Sequence, residues 1–178
     1  ISYRSFQLKM ASDDTKGKHI NQIIAERYNI SYEQAKQNND NVIRAASAAG
    51  LNYNFDILII NSTEFAHKLA IFAKQSGKDR ELIKRLSKGH FEEGLDIGNE
   101  ADLTNIAKEI GLDNNNFQKQ LLDGSLDKQI KNDEFTANQL GISSIPFFVI
   151  DDKYGISGAR EPEDFLNALR QAYNESTK

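Results

Sequence analysis

The sequence has 178 residues, 39% of them hydrophobic and 27% charged, with a net charge of −4, as expected for a soluble globular protein of one domain or of one domain with a large insertion. No apolar run approaches the roughly 20 residues of a membrane span, and no basic patch indicates a nucleic-acid binder, so neither a membrane nor nucleic acid is expected as a partner. There is no cysteine, which excludes a disulfide, a thiolate nucleophile and a cysteine–metal site within these residues.

The first predicted element is a strand over Ile1–Leu8, because β-forming side chains lie on both of its faces. From Lys18 the apolar spacing becomes helical, and the residues that fall on one face are Ile20, Ile23, Ile24 and Tyr28. Ser31 and Gln34 then form a capping-box pattern that predicts the start of a second helix. Gly50 is the residue type that ends such a helix.

An extended segment or a short connector over residues 55–60 leads into five further predicted helices, each with apolar residues at helical spacing. Their predicted N-caps are Thr63 or Ser62 for the first and Asn99 for the third, and Asp113-Asn114 is predicted to start the fourth. Each helix is predicted to end at or next to a glycine, these being Gly77, Gly94, Gly111, Gly124 and Gly141. The middle of the chain is therefore expected to be entirely helical.

The pattern changes at the continuous apolar run Ile145–Ile150, which predicts a strand. A turn at residues 151–153 and a second strand over Tyr154–Ser157 complete a hairpin, and Pro162 occupies the first position of a final helix. Strands at both ends of a long helical run indicate one small sheet with a helical insertion. The alternative, a six-helix bundle with an unrelated hairpin, would leave the strand at Ile1–Leu8 without a partner.

Pro146 is the residue that the hairpin must accommodate, because a proline cannot donate to a sheet ladder. Its position at the start of a strand is one that a sheet tolerates. From sequence alone a trans bond is the default, since only about 5–6% of X–Pro bonds in folded proteins are cis.

Six segments, in the same order along the chain, resemble the DsbA-type thioredoxin fold and are most similar to its FrnE-like branch. They are Tyr3–Leu8, Asn61–Leu69, Phe91–Gly98, Gly141–Ile150, Tyr154–Ala159 and Pro162–Phe165. The resemblance implies an α/β fold of thioredoxin type with a large all-helical, DsbA-like insertion. It assigns residues 1–11 and 125–178 to the thioredoxin-like part and residues 12–124 to the insertion. It also implies a cis bond before Pro146.

The resemblance further implies a thiol–disulfide oxidoreductase that acts on protein or peptide disulfides without a cofactor. In this family a Cys-x-x-Cys pair lies at the start of the first helix, where the helix dipole favours a thiolate. That thiolate exchanges with a substrate disulfide, while the proline loop receives an extended substrate segment. Carried onto this chain, the substrate-binding role falls to Ile145, Pro146 and Phe147.

The family's first strand and Cys-x-x-Cys segment precede the part that resembles Ile1–Leu8, and this chain lacks them. We therefore expect a longer parent protein, since the first strand is central in a thioredoxin sheet. A naturally truncated or cysteine-free relative is the competing interpretation. Two other functions stay open: an enzyme similar to kappa glutathione transferases or 2-hydroxychromene-2-carboxylate isomerases, with glutathione as partner, and a redox-inactive peptide-binding module.

The remaining candidate residues are polar. The three histidines, His19, His67 and His90, lack the spacing of metal ligands, so no metal site is expected. His67 has two interpretations, a supporting role near the active face or a purely structural one. Arg160 and Glu161 follow a turn that contacts the ligand in glutathione-binding relatives. A cytoplasmic location is expected from the FrnE-like branch.

Overall fold

The structure is a computed structural model that describes residues 1–8, 15 and 17–176. It divides into two compact units, Ile1–Lys131 and Asn132–Lys178. The division predicted from the resemblance separates residues 12–124 from the rest, and its first boundary lies outside the described residues. That division stays a prediction.

The first unit opens with a pair of packed helices, α1 (Ile20–Tyr28) and α2 (Tyr32–Ala48). The predicted capping box at the start of α2 is present: the Ser31 hydroxyl accepts from Gln34 N at 3.1 Å, and the Gln34 side chain accepts from Ser31 N at 3.1 Å. A buried amide pair also joins the two helices, with Asn39 Nδ2 donating to Asn21 Oδ1 at 2.6 Å. Of the four residues predicted to share one face of α1, Ile20 and Ile23 are buried, whereas Tyr28 on its last turn is 65% exposed.

Four helices build the core of the first unit: α3 (Glu64–Gln75), α4 (Asp79–Glu92), α5 (Glu100–Glu109) and α6 (Asn114–Leu122). Their apolar faces meet in one cluster of buried residues, which the first turns of α7 (Ser125–Gln139) extend. The largest fully buried members are Leu69, Phe72, Leu82, Leu103, Ile106, Phe117 and Leu126. The helices predicted from apolar spacing are therefore confirmed, together with the N-cap Asn99 and the start of α6 at Asp113-Asn114. The side chains of Asn99 and Asp113 accept from backbone N–H groups.

The second unit contains the end of α7, strands β1 (Phe147–Ile150) and β2 (Tyr154–Ser157), and helix α8 (Pro162–Ser176). The strands form the predicted antiparallel hairpin, in a register that pairs Phe147 with Ser157 and Ile150 with Tyr154. Helix α8 packs on both strands. One of its contacts is an edge-to-face pair in which the ring centroids of Phe148 and Phe165 are 4.8 Å apart.

The strand predicted at Ile1–Leu8 is absent, since this segment takes part in no sheet. Its composition favours extended backbone, but a strand exists only where a neighbour completes its ladder. Within the described residues the sole sheet is the hairpin of the second unit. The segment instead lies against the helices of the first unit. There Ser5 is buried, and the Tyr3 carbonyl accepts a hydrogen bond from Lys74 Nζ at 3.2 Å.

Candidate substrate-binding loop

Pro146 lies immediately before β1, at the end of the hairpin opposite its turn. The peptide bond between Ile145 and Pro146 is cis. The Pro146 carbonyl accepts a hydrogen bond from Gly158 N at 2.8 Å, which adds one bond to the ladder beyond the last paired residues of β1 and β2. This bond holds the proline loop against the chain segment that follows β2.

The three predicted binding residues differ in how they meet solvent. Ile145 is 45% exposed and Pro146 is also exposed, whereas Phe147 is half-buried. The Phe147 ring lies over Gly155 of β2, so close that a Cβ added to Gly155 would stand 2.8 Å from Phe147 Cζ. Ile145 and Pro146 therefore present apolar surface, and Phe147 anchors them on the hairpin.

Gly155 is a residue whose importance sequence reasoning missed. It lies in the interior of β2, where a glycine weakens a strand unless something approaches closely. That rule is the signal that could have identified it. The approaching group is the Phe147 ring, which only a residue without a side chain admits at this distance.

One edge of β1 is open within the described residues. Antiparallel ladders alternate between residues that bond to the partner strand and residues whose backbone groups point away from it. Because the Pro146 carbonyl bonds to Gly158, the register directs the backbone groups of Phe147 and Val149 away from β2. Within the described residues no other strand pairs with that edge.

The loop presents exposed apolar surface but has no side chain for thiol chemistry. An extended segment could lie against Ile145 and Pro146 and bond to the backbone groups of Phe147 and Val149 that point away from β2. Among the described residues no group of three or more His, Cys, Asp or Glu side chains could hold a metal ion. The chain has no cysteine, so these 178 residues contain no thiolate for a disulfide exchange.

The structure places two of the histidines on helices of the first unit. His67 lies in the first turn of α3, where its backbone N–H donates to the Thr63 carbonyl at 3.0 Å. His90 lies in the last turn of α4, with its ring 4.8 Å from that of Phe91. Burial lowers the pKa of His90, although a hydrogen bond to the backbone of Leu95 and the charge of Asp96 both oppose that shift.

His19 has a specific structural role as the N-cap of α1. Its Nδ1 accepts a hydrogen bond from Asn21 N at 3.2 Å, and its Nε2 faces Asp56 Oδ1 at 3.5 Å. Histidine is an unusual choice for a cap, and the sequence did not indicate it.

A charged cluster in the first unit was also missed. The ammonium of Lys68, whose side chain is 16% exposed, lies 2.9 Å from Glu64 and 2.8 Å from Asp127. Although burial opposes the shift, hydrogen bonds with the two carboxylates raise the pKa of Lys68. The cluster ties α3 to the start of α7, and only its Glu64–Lys68 half has the i, i+4 spacing that a sequence reveals.

Arg160 and Glu161 lie just beyond the hairpin, on the segment that links Gly158 to α8. The Arg160 guanidinium donates from Nε to the Ser157 carbonyl at 3.1 Å. Arg160 is therefore held at the same end of the hairpin as the proline loop, because Gly158 bonds to Pro146 there.

Comparison with known proteins relates these features to a family. Residues 1–170 match the family described as DSBA-like thioredoxin domain. A crystal structure of the probable DsbA oxidoreductase SCO1869 from Streptomyces coelicolor is similar over 97% of this chain and 74% of that one, with 32% identity and a TM-score of 0.86. The uncharacterized protein YwbO of Bacillus subtilis (strain 168) is 31% identical over 108 residues, which are 60% of this chain and 54% of YwbO. The chain thus spans about half the length of this curated relative.

Proposed function

The chain belongs to the DSBA-like thioredoxin domain family and has its thioredoxin-type fold, mostly helical with a small sheet, and on that premise we propose that the protein is a thiol–disulfide oxidoreductase. Its substrates are protein or peptide disulfides, as in the FrnE-like branch. The observation that carries the proposal is the exposed apolar loop at Ile145 and Pro146, which adjoins the open edge of β1.

The reaction assigns separate roles to the two parts of the site. A Cys-x-x-Cys pair outside these 178 residues supplies the thiolate, which attacks one sulfur of a substrate disulfide. The substrate S–S bond breaks, its other sulfur leaves as a thiolate, and a mixed disulfide forms. The second cysteine of the pair then attacks that bond, leaving the pair oxidised and the substrate reduced; the reverse sequence oxidises a substrate. The role of Ile145, Pro146 and Phe147 is to hold the substrate segment extended while the sulfurs exchange.

The intact mass and thiol content of the natural protein test the first half of this proposal. A mass about 3 kDa above that of this chain, an order-of-magnitude figure for a strand and the start of a helix, with two reactive thiols after denaturation, is expected. A mass that matches these 178 residues, with no thiol, would contradict the oxidoreductase.

Substrate binding at the loop is tested by replacing Ile145. The Ile145→Asn variant should reduce a peptide disulfide with a KM raised about tenfold, because it removes roughly 1.4 kcal/mol of apolar contact, and with little change in kcat. Leu122→Asn is the matched control, since this leucine is 89% exposed in the other unit. An unchanged KM for Ile145→Asn would remove the loop from the substrate site.

A second candidate function is a redox-inactive peptide-binding module, which the absence of cysteine from these residues favours. It predicts that extended peptides bind to the protein with the same affinity in the presence and absence of a reductant. A cytoplasmic location is proposed for either function from the likeness to the FrnE-like branch, and fractionation of cells with an antibody against the protein tests it. Within the described residues no helix has the length and apolar character to cross a membrane.

A further inference from the structure

The net charge of the protein is distributed unevenly along the chain. Residues 132–178 contain eight Asp and Glu but four Lys and Arg, so this stretch carries the whole net charge of −4. Residues 1–131 contain 18 of each and are neutral. The stretch that carries the proline loop is therefore the acidic part of the protein.

Three of these carboxylates belong to the segment that the loop is bonded to. Gly158 holds Pro146 by its backbone N–H, and the chain then runs through Arg160 and Glu161 into the first turn of α8, where Glu163 and Asp164 lie. All four charged side chains are exposed. The Asp164 N–H bonds to the Glu161 carbonyl at 3.0 Å, which keeps this segment compact. With one guanidinium against three carboxylates, the chain beside the loop has a net charge of −2.

The far end of the hairpin provides a contrast. Asp151 and Asp152 form its turn, and Lys153 Nζ lies 3.5 Å from the Asp151 carboxylate. These acidic residues are separated from Pro146 by the full length of β1. They therefore serve as a reference for the effect of charge on the unit as a whole.

We propose that the proline loop selects extended segments that combine apolar residues with lysine or arginine. The apolar residues contact Ile145 and Pro146, and the basic residues face the carboxylates of Glu161, Glu163 and Asp164. This proposal rests on the proposed function, which places the substrate at the loop, and it adds the chemical class of the preferred substrate.

Electrostatics of this kind acts mainly on the rate of association. Charges at the rim of a binding surface steer the encounter and lose their effect as salt rises, since the Debye length falls from about 10 Å at 0.1 M to about 3 Å at 1 M. Glu163 and Asp164 also complement the dipole of α8, which by itself would give no preference among substrates. The same negative charge disfavours glutathione, an anion at neutral pH.

The test compares two labelled, cysteine-free decapeptides that share one apolar centre, one flanked by lysines and the other by glutamates. Binding to the full-length protein is measured by fluorescence anisotropy at 50 mM and 500 mM salt. We expect the lysine peptide to bind about three- to tenfold more tightly at low salt and the difference to shrink at high salt. Glu161→Gln with Glu163→Gln should remove most of the preference, whereas Asp151→Asn with Asp152→Asn removes as many charges and should retain it.

Each failure has a distinct meaning. Equal binding of the two peptides, weakened by Ile145→Asn, would overturn the charge preference while leaving the substrate loop in place. A preference that both double variants reduce alike would also overturn it, because the charge of the whole unit would then be responsible. Binding of neither peptide would overturn the substrate loop itself.

Discussion

At the scale of single residues, His90 is a partly buried titratable side chain of the first unit. Its Nδ1 is buried and has no hydrogen-bond partner among the described residues. A proton added there would stay unpaired in a poorly solvated position. The aromatic contact with Phe91 and the bond to the backbone of Leu95 hold the ring in place.

We expect the free energy of unfolding to fall as the pH drops below about 6.5, the ordinary pKa of histidine. Burial lowers the pKa of His90 in the folded protein, so the unfolded chain binds the proton first and acid favours unfolding. The loss continues until the pH reaches the folded-state pKa. Urea unfolding at pH 8 and at pH 5.5 measures it.

The matched variant for this prediction is His90→Gln, which keeps a polar side chain but cannot titrate. Its unfolding free energy should depend less on pH over the same interval than that of the natural protein. His19 and His67 are unchanged in both proteins, so their contributions cancel in the comparison. An identical pH dependence in the two proteins would show that His90 does not carry the effect.

At the scale of elements, the connector before α3 (residues 51–63) is fastened to the end of α4 and the turn after it. Asn54 N donates to the Phe91 carbonyl at 2.7 Å, and the Asn61 amide donates to both oxygens of the Asp96 carboxylate at 3.0 and 3.1 Å. The ring of Tyr53 stacks on Phe91 with centroids 4.6 Å apart. These contacts replace the ladder that a strand would have formed here.

Gly94→Ala should lower the free energy of unfolding by disturbing the packing of this connector. Gly94 has φ of +68°, and an added Cβ would lie 3.0 Å from the backbone oxygen of Ile57. Backbone strain costs roughly 1–2 kcal/mol, and the steric conflict adds roughly 1–3 kcal/mol. Gly50→Ala is the control, because Gly50 has φ of +80° with nothing within 4 Å of its added Cβ. Equal losses of unfolding free energy would contradict the close approach to Ile57.

The start of α2 provides a second prediction at this scale. Ser31→Ala removes the hydroxyl that accepts from Gln34 N, and the loss of such a cap costs about 1 kcal/mol of unfolding free energy. Ser47→Ala, at an exposed position near the end of the same helix, should instead be neutral or slightly stabilising. Chemical denaturation of both variants measures the difference, and equal effects would mean that the capping box adds no stability.

At the scale of the whole molecule, stability is concentrated in the buried cluster of the first unit. Phe117 is at its centre, with its ring centroid 5.2 Å from that of Phe72 and 5.5 Å from that of Phe65. On α8 the second unit buries the apolar residue Ala172, while the side chains of Leu169 and Tyr173 on the same helix are more than half exposed. We therefore expect the first unit to unfold more cooperatively than the second unit.

Phe117→Ala should lower the unfolding free energy by about 3–5 kcal/mol, the range for truncating a large buried aromatic side chain. Circular dichroism during urea unfolding measures this loss. Phe135→Ala is the control, since that ring is 61% exposed and its removal should cost well under 1 kcal/mol. Similar losses for both variants would contradict the assignment of the core.

The sequence by itself determined most of the helices and the hairpin. Apolar spacing, the capping box at Ser31 and the glycines after each helix are local signals, because a helix satisfies its backbone within one segment. The hairpin was equally accessible, since the turn at Asp151 and Asp152 needs positive φ, which these residue types tolerate. The resemblance to the DsbA-type fold, in contrast, indicated the family and the binding role predicted for Ile145, Pro146 and Phe147.

Only the tertiary structure decided the features that join distant segments. The prediction of a strand at Ile1–Leu8 was wrong, because a strand needs a neighbouring strand to pair with and local composition does not reveal one. The packing of Phe147 on Gly155, the bond from Gly158 to Pro146 and the Asp127 half of the Lys68 cluster all depend on how separate segments approach in space. Such contacts arise from packing between elements, and this packing produces no periodic pattern in the sequence.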